Sequence, residues 1–211
     1  VVTLLSTLGG TDTLTEASPG NYTADILGVV NEAYWLEITT PDGVVYETER
    51  ETLNSPSNID SIYHKTDDLN GREEEGQFVF IDFVEPQGEG DFYKWKHFID
   101  GEEQIEPEDF SVFEDRFSVF PDTTIIIKEY RITERPVELG SEVRVEQFKI
   151  SAEHYSFVRD VLFQSTLGGT PFDTPPSPIF GNVHEKGNFE NKALGYFMVA
   201  SKVSKALTVN E

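Results

Sequence analysis

Cysteine is absent from the sequence, so no disulfide holds the fold and no thiol serves as nucleophile or metal ligand. Basic residues are scarce. Sixteen Lys and Arg face 39 Asp and Glu, for a formal net charge of -23. A surface that acidic repels nucleic-acid phosphates and anionic headgroups over a Debye length of roughly 8–10 Å. Nucleic acid is thereby excluded as a partner class, and the plain role of the charge is solubility. No apolar run approaches the roughly 18–20 residues that cross a bilayer as a helix. Val1-Val2-Thr3-Leu4-Leu5 is too short for a signal peptide and has no basic flank. It reads as the middle of a β-strand, so the chain is expected to begin inside a domain, with any export signal or lipid-anchor cysteine upstream.

Catalytic and metal signatures are also missing. His64, His97, His154 and His184 are scattered, and none shows ligand spacing. No Gly-x-Ser-x-Gly elbow and no HExxH helix is present. The carboxylate pairs Glu102-Glu103, Glu108-Asp109 and Glu114-Asp115 are what a chain this acidic produces by chance, and a glycosidase would also need a cleft around them. The loop Asp67 to Glu75 offers oxygen ligands at Asp67, Asp68, Asn70 and Glu73 without the spacing of an EF-hand. The expectation is a protein that is not an enzyme, with no catalytic residue, no resident metal and no cofactor.

What the chain does have is apolar and aromatic side chains in strand-like patterns. Hydrophobic residues make up 37% and 16 are phenylalanine, enough to build a core. Over residues 1–55, short β-rich runs alternate with turns such as Ser18-Pro19-Gly20. Ala33–Thr39 alternates, Pro41-Asp42-Gly43 turns, and Val44–Thr48 returns, a strong hairpin pattern. Strand spacing of about 8–12 residues there predicts part of an immunoglobulin-like or transthyretin-like sandwich. The polar stretch Asn54–Asn58 marks a boundary, and residues 59–211 are expected to form a larger antiparallel β domain. Within it, Gln77–Phe83 is apolar on both faces and predicts a central strand. Further strands are expected at 92–98, 124–130, 141–150 and 193–200. One helix is predicted from Ser151, a plausible N-cap, to about residue 167, ended by Gly168-Gly169. Pro171–Pro178 holds four prolines and must run extended. The fold class is mainly β: a partial sandwich, then a larger β domain with one packed α-helix.

Six aromatics stand out as candidate ligand- or partner-binding residues: Tyr93, Trp95, Phe110, Phe113, Phe117 and Phe120. The last four carry a near-repeat, Phe-Ser-Val-Phe, seven residues apart. They either present rings to a sugar or peptide, or fold over the sheet and bury them.

Ile150–Tyr155, Gly168–Pro178, Gly181-Asn182-Val183 and Ala193–Phe197, in that order, resemble an uncharacterised family of Bacteroidota outer-membrane lipoproteins encoded beside SusC-like TonB-dependent transporters. Thr39–Gly43 and Asp91–Trp95 are similar to that family's sandwich hairpin and second-domain strand. The resemblance covers nearly the whole chain. It implies a cell-surface, outer-membrane location through an N-terminal lipid anchor outside this sequence, and a SusC-like β-barrel transporter as partner, with other surface lipoproteins alongside. The implied role is an accessory subunit that assists ligand capture or uptake, or caps the complex. Asp12-Thr13-Leu14, Asp60-Ser61-Ile62 and Asp122-Thr123-Thr124 resemble the O-glycosylation sites of exported Bacteroidota proteins, which makes Thr13, Ser61 and Thr123 candidate modified residues. Two other readings remain open at this stage. One is a free-standing carbohydrate- or peptide-binding module, which needs exposed, coplanar aromatics among residues 93–120. The other is an acidic-site hydrolase, which needs two carboxylates converging in a cleft.

Overall fold

A computed structural model describes residues 1–67, 75–86, 90–115, 125–165 and 177–210. These residues form antiparallel sheets and a single α-helix, the mainly β class expected from the sequence. The chain divides into two compact units. Unit one is Val1–Ser55 with Ser156–Ala200, and unit two is Pro56–Tyr155 with Ser201–Glu211.

Unit one begins with β1 (Val2–Ser6), β2 (Thr11–Thr13), β3 (Thr15–Ser18), β4 (Asn21–Thr23), β5 (Ala33–Thr39), β6 (Val45–Thr48) and β7 (Glu51–Thr52). The β5–β6 hairpin follows from Pro41-Asp42-Gly43: Gly43 takes φ +88°, and Thr40 N–H donates to Val44 O at 2.9 Å to close the turn.

Unit two follows with β8 (Ile59–Asp67), β9 (Gly76–Pro86), β10 (Phe92–Ile99), β11 (Glu102–Glu103), β12 (Ser111–Glu114), β13 (Ile125–Arg131) and β14 (Glu142–Ile150). A short 3₁₀ turn at Pro107–Asp109 precedes β12. β9 lies between β13 and β8, as its two apolar faces require, and Phe78, Val79, Phe80, Ile81 and Phe83 are all buried. β10 alternates strictly, placing Tyr93, Trp95 and His97 on the buried face.

After β14 comes α1 (Ala152–Ser165). Ser151 caps it, accepting the His154 N–H on its Oγ at 3.1 Å. Then β15 (Val183–Glu185) pairs with β6 and with β16 (Asn188–Lys192), extending the first sheet to the order β16-β15-β6-β5-β1-β2, with β7 on β5. The last strand, β17 (Ser201–Thr208), pairs with β14 in unit two, whose second sheet runs β11-β10-β14-β17 with β12 on β10.

Two expectations need correction. Residues 59–211 are not one body: the β15–β6 ladder groups 156–200 with residues 1–55, a pairing about 137 positions apart that no local pattern reports. Ala193–Ala200 is also not a strand. Gly195 sits at φ +121°, and the side chain of Asn182 occupies the backbone of Phe197, donating from Nδ2 to its O and accepting its N–H on Oδ1, both at 2.9 Å. The terminal strand therefore starts only at Ser201. Pro171–Pro176, like Gly168-Gly169, lies outside the described residues.

Candidate functional site

In unit one, a groove of about 300 Å³ is lined by Leu4 of β1, Tyr34 of β5, Ile26, Gly28, Leu53 and the stretch Phe197–Ala200. Local chemistry explains each wall. Tyr34 is buried, and its hydroxyl accepts the Val29 N–H at 2.7 Å, which pins the loop that carries Ile26 and Gly28. A Cβ on Gly28 would meet Leu53 Cδ2 at 2.6 Å, so a larger residue there would push that leucine side chain aside. On the far wall, Gly181 packs so tightly that a Cβ there would lie 1.9 Å from the carbonyl oxygen of Gly195. Together with the Asn182–Phe197 bonds, this contact fixes the course of Phe197–Ala200.

The lining is aliphatic and aromatic, and both bordering segments, Ala24–Gly28 and Phe197–Ala200, stand outside any strand ladder. Beside the groove the loop exposes Leu27 (94%), Val29 and Val30. Tyr34, whose hydroxyl is engaged by the Val29 N–H, is the one titratable side chain among the lining residues, and no Asp, Glu, His, Lys or Arg lines the groove. It can bury apolar side chains of a partner.

The aromatics singled out from sequence are placed differently. Tyr93 is fully buried and Trp95 is 2% exposed. Trp95 stacks on Tyr130 with ring centres 4.4 Å apart, and its indole N–H donates to Gln147 Oε1 at 2.8 Å. Phe113 packs edge-on to Phe83 at 5.5 Å, against the same core. Tyr93 and Trp95 are therefore core residues, and Phe113 is half-buried against them: strict alternation on β10 turns its two rings inward, and β12 pairs beside them. Phe110 is exposed, whereas Phe117 and Phe120 lie outside the described residues. Of the candidate modification sites, Thr13 is exposed on β2. Ser61 on β8 is half-buried and donates to Asp82 Oδ2 at 2.9 Å, and Thr123 lies outside the described residues.

The histidines do not converge. His184 stacks on Phe189 at 4.3 Å in unit one. His64 Nδ1 lies 2.9 Å from Gln77 Oε1 in unit two. His154 is buried beside Lys94, and burial pushes its pKa down to about 4. Among the described residues no group of three or more His, Asp or Glu could hold a metal ion, and most of the Asp67–Glu75 loop lies outside them.

The sequence reading overlooked Ile26–Val30. Its signal was available: Ile26-Leu27-Gly28-Val29-Val30 is a short apolar run with no alternation and a glycine at its centre, bounded by Asp25 and Asn31.

No curated protein and no solved structure matches the chain. A family model described as a domain of unknown function (DUF4249) matches residues 2–206, and the chain belongs to that family.

Proposed function

We propose that this protein is a cell-surface accessory subunit of a SusC-like TonB-dependent transporter in the outer membrane of a member of the Bacteroidota. It acts by binding, not by catalysis, and its docking surface is the aliphatic groove of unit one with Leu27, Val29 and Val30 beside it. The observation that carries the reading is the exposure of these aliphatic side chains around a groove whose two bordering segments have no ladder partner. Exposed apolar surface of this kind is costly in water unless a partner covers it. The family resemblance supplies the kind of partner, and a lipid anchor upstream of these residues would hold the protein at the membrane. The burial of Tyr93 and Trp95 takes two rings from the platform that a free-standing sugar- or peptide-binding module would use, which weighs towards this reading.

The test is purification of the native protein from its host in mild detergent. A large β-barrel protein should accompany it, and Leu27→Asp with Val29→Asp should release that barrel without unfolding the protein. Repeated recovery of the native protein alone would refute the reading.

A further inference from the structure

Unit two contains a second cavity that this docking role leaves unused. Its volume is about 180 Å³, room for about six waters at their liquid volume. The polar residues around it are His97, Gln104, Asp109, Thr133, Glu134 and Arg135. His97 follows Tyr93 and Trp95 in the inward-facing stripe of β10 and is only 2% exposed. Yet its ring makes no hydrogen bond among the described residues, and its nitrogens are not sealed from the cavity. Burial holds the imidazole below its ordinary pKa, so at neutral pH it is uncharged and keeps one lone pair free to accept.

Asp109, the last residue of the 3₁₀ turn, is 4% exposed. Its Oδ2 is fully engaged, accepting from Arg135 Nη2 at 2.9 Å and from the Glu106 N–H at 3.2 Å. Its Oδ1 accepts no hydrogen bond among the described residues and lies 3.8 Å from His97 Nε2. That gap is too long for a direct hydrogen bond. It does suit one donor atom placed about 2.9 Å from each group.

The ligand's character follows by elimination. An anion would face Asp109 and Glu134, while Arg135 is already committed to Asp109 and lies 3.6 Å from Glu108. An apolar group would leave an imidazole nitrogen and a carboxylate oxygen dehydrated without partners. A donor-rich cation satisfies both, and the charge-assisted bond to Asp109 would dominate its affinity.

We propose that this cavity binds a primary ammonium group, carried by a small aliphatic amine or by a lysine side chain, which donates to Asp109 Oδ1 and to the His97 ring. The test uses the full chain labelled with ¹⁵N, at an ionic strength of about 0.15 M to screen the exposed carboxylates. The His97 ring signal, assigned by its loss in His97→Gln, is followed during titration with butylammonium, with the isosteric butanol and with Nα-acetyl-lysine methylamide. Butylammonium should shift the signal saturably and bind about tenfold or more tightly than butanol. Asp109→Asn should lose about the same factor. If the lysine derivative binds as tightly as butylammonium, the source is a protein side chain; if it does not bind, the source is a free amine. Equal binding of butanol overturns the proposal, as do shifts that never saturate and leave His97 unmoved, or undiminished binding by Asp109→Asn. If Asp109→Asn does not fold, the comparison of amine with alcohol on the native chain decides alone.

Discussion

Of the 17 buried apolar side chains among the described residues, only Val2, Tyr34 and Val158 belong to unit one; the others are in unit two. Exposed large apolar side chains run the other way. Among the described residues, those of unit two are Ile105, Phe110 and Leu139, and those of unit one include Leu27, Val29, Val30, Phe180, Phe189 and Leu194. Unit two is thus organised around a cluster that includes Ile59, Phe83, Tyr93, Trp95, Val143 and Val145. Unit one relies more on its ladders and on side chains that bond to backbone, such as Thr48 Oγ1 accepting the Leu36 N–H at 2.9 Å. Dispersion and hydrophobic burial hold the first kind of body together without help. The second kind leaves more of its described apolar side chains exposed.

The two tryptophans allow each unit to be followed separately, since Trp35 lies in unit one and Trp95 in unit two. The largest expected effect is in unit two. Trp95→Ala leaves a cavity among Phe83, Tyr93 and Tyr130 and strands the Gln147 carbonyl, and should cost about 3–5 kcal/mol in urea unfolding. A loss below about 1 kcal/mol would break the contrast between the units. Next, Gly181→Ala in unit one forces the backbone at Gly195 to move and should cost about 1–3 kcal/mol. Trp35 fluorescence in a Trp95→Phe background should report that loss.

A smaller effect concerns pH and sharpens the view of unit two. The folded pKa of His154, about 4, lies below its ordinary value of 6.5. Between these values the unfolded chain takes up a proton that the folded chain refuses, so stability falls as pH drops through that window and gains nothing further above it. Burial lowers His97 in the same direction. Urea midpoints read by Trp95 should therefore fall from about pH 6.5 towards 5, before most carboxylates titrate, and His154→Gln should flatten that slope. The smallest effect on stability belongs to Leu27→Asp. At 94% exposure, this change should lower the unfolding free energy in urea by no more than about 0.5 kcal/mol, while the docking role proposed above predicts weaker partner binding. A larger loss would mean that Leu27 serves unit one itself.

Features set by near neighbours in the chain were legible in the sequence. The Pro41-Asp42-Gly43 hairpin, the Ser151 cap and the two-faced β9 each carry their own pattern. The alternation of β10 was legible as well, but periodicity alone does not say which face turns inward, so Tyr93 and Trp95 could be taken for a binding platform. Ala193–Ala200 reads as a strand because its composition is apolar. Its true course depends on Gly181 and Asn182, more than ten positions earlier. The cavity at His97 was hidden for a similar reason: His97 on β10, Asp109 in the 3₁₀ turn and Arg135 in the bend after β13 are separate in the chain, and nothing in their spacing links them.

The interleaved chain path has a consequence for biosynthesis. Residues 1–55 emerge before the rest of this sequence, but β6 gains β15 only after more than 130 further residues have been made. β14 likewise waits for β17, near the end of the described chain. Neither unit can be cut out as a continuous gene fragment. A truncation anywhere between residues 56 and 182 would leave β6 with an open edge, a ready template for misassembly. A chaperone that keeps the early segment extended until its late strand arrives would therefore favour correct folding.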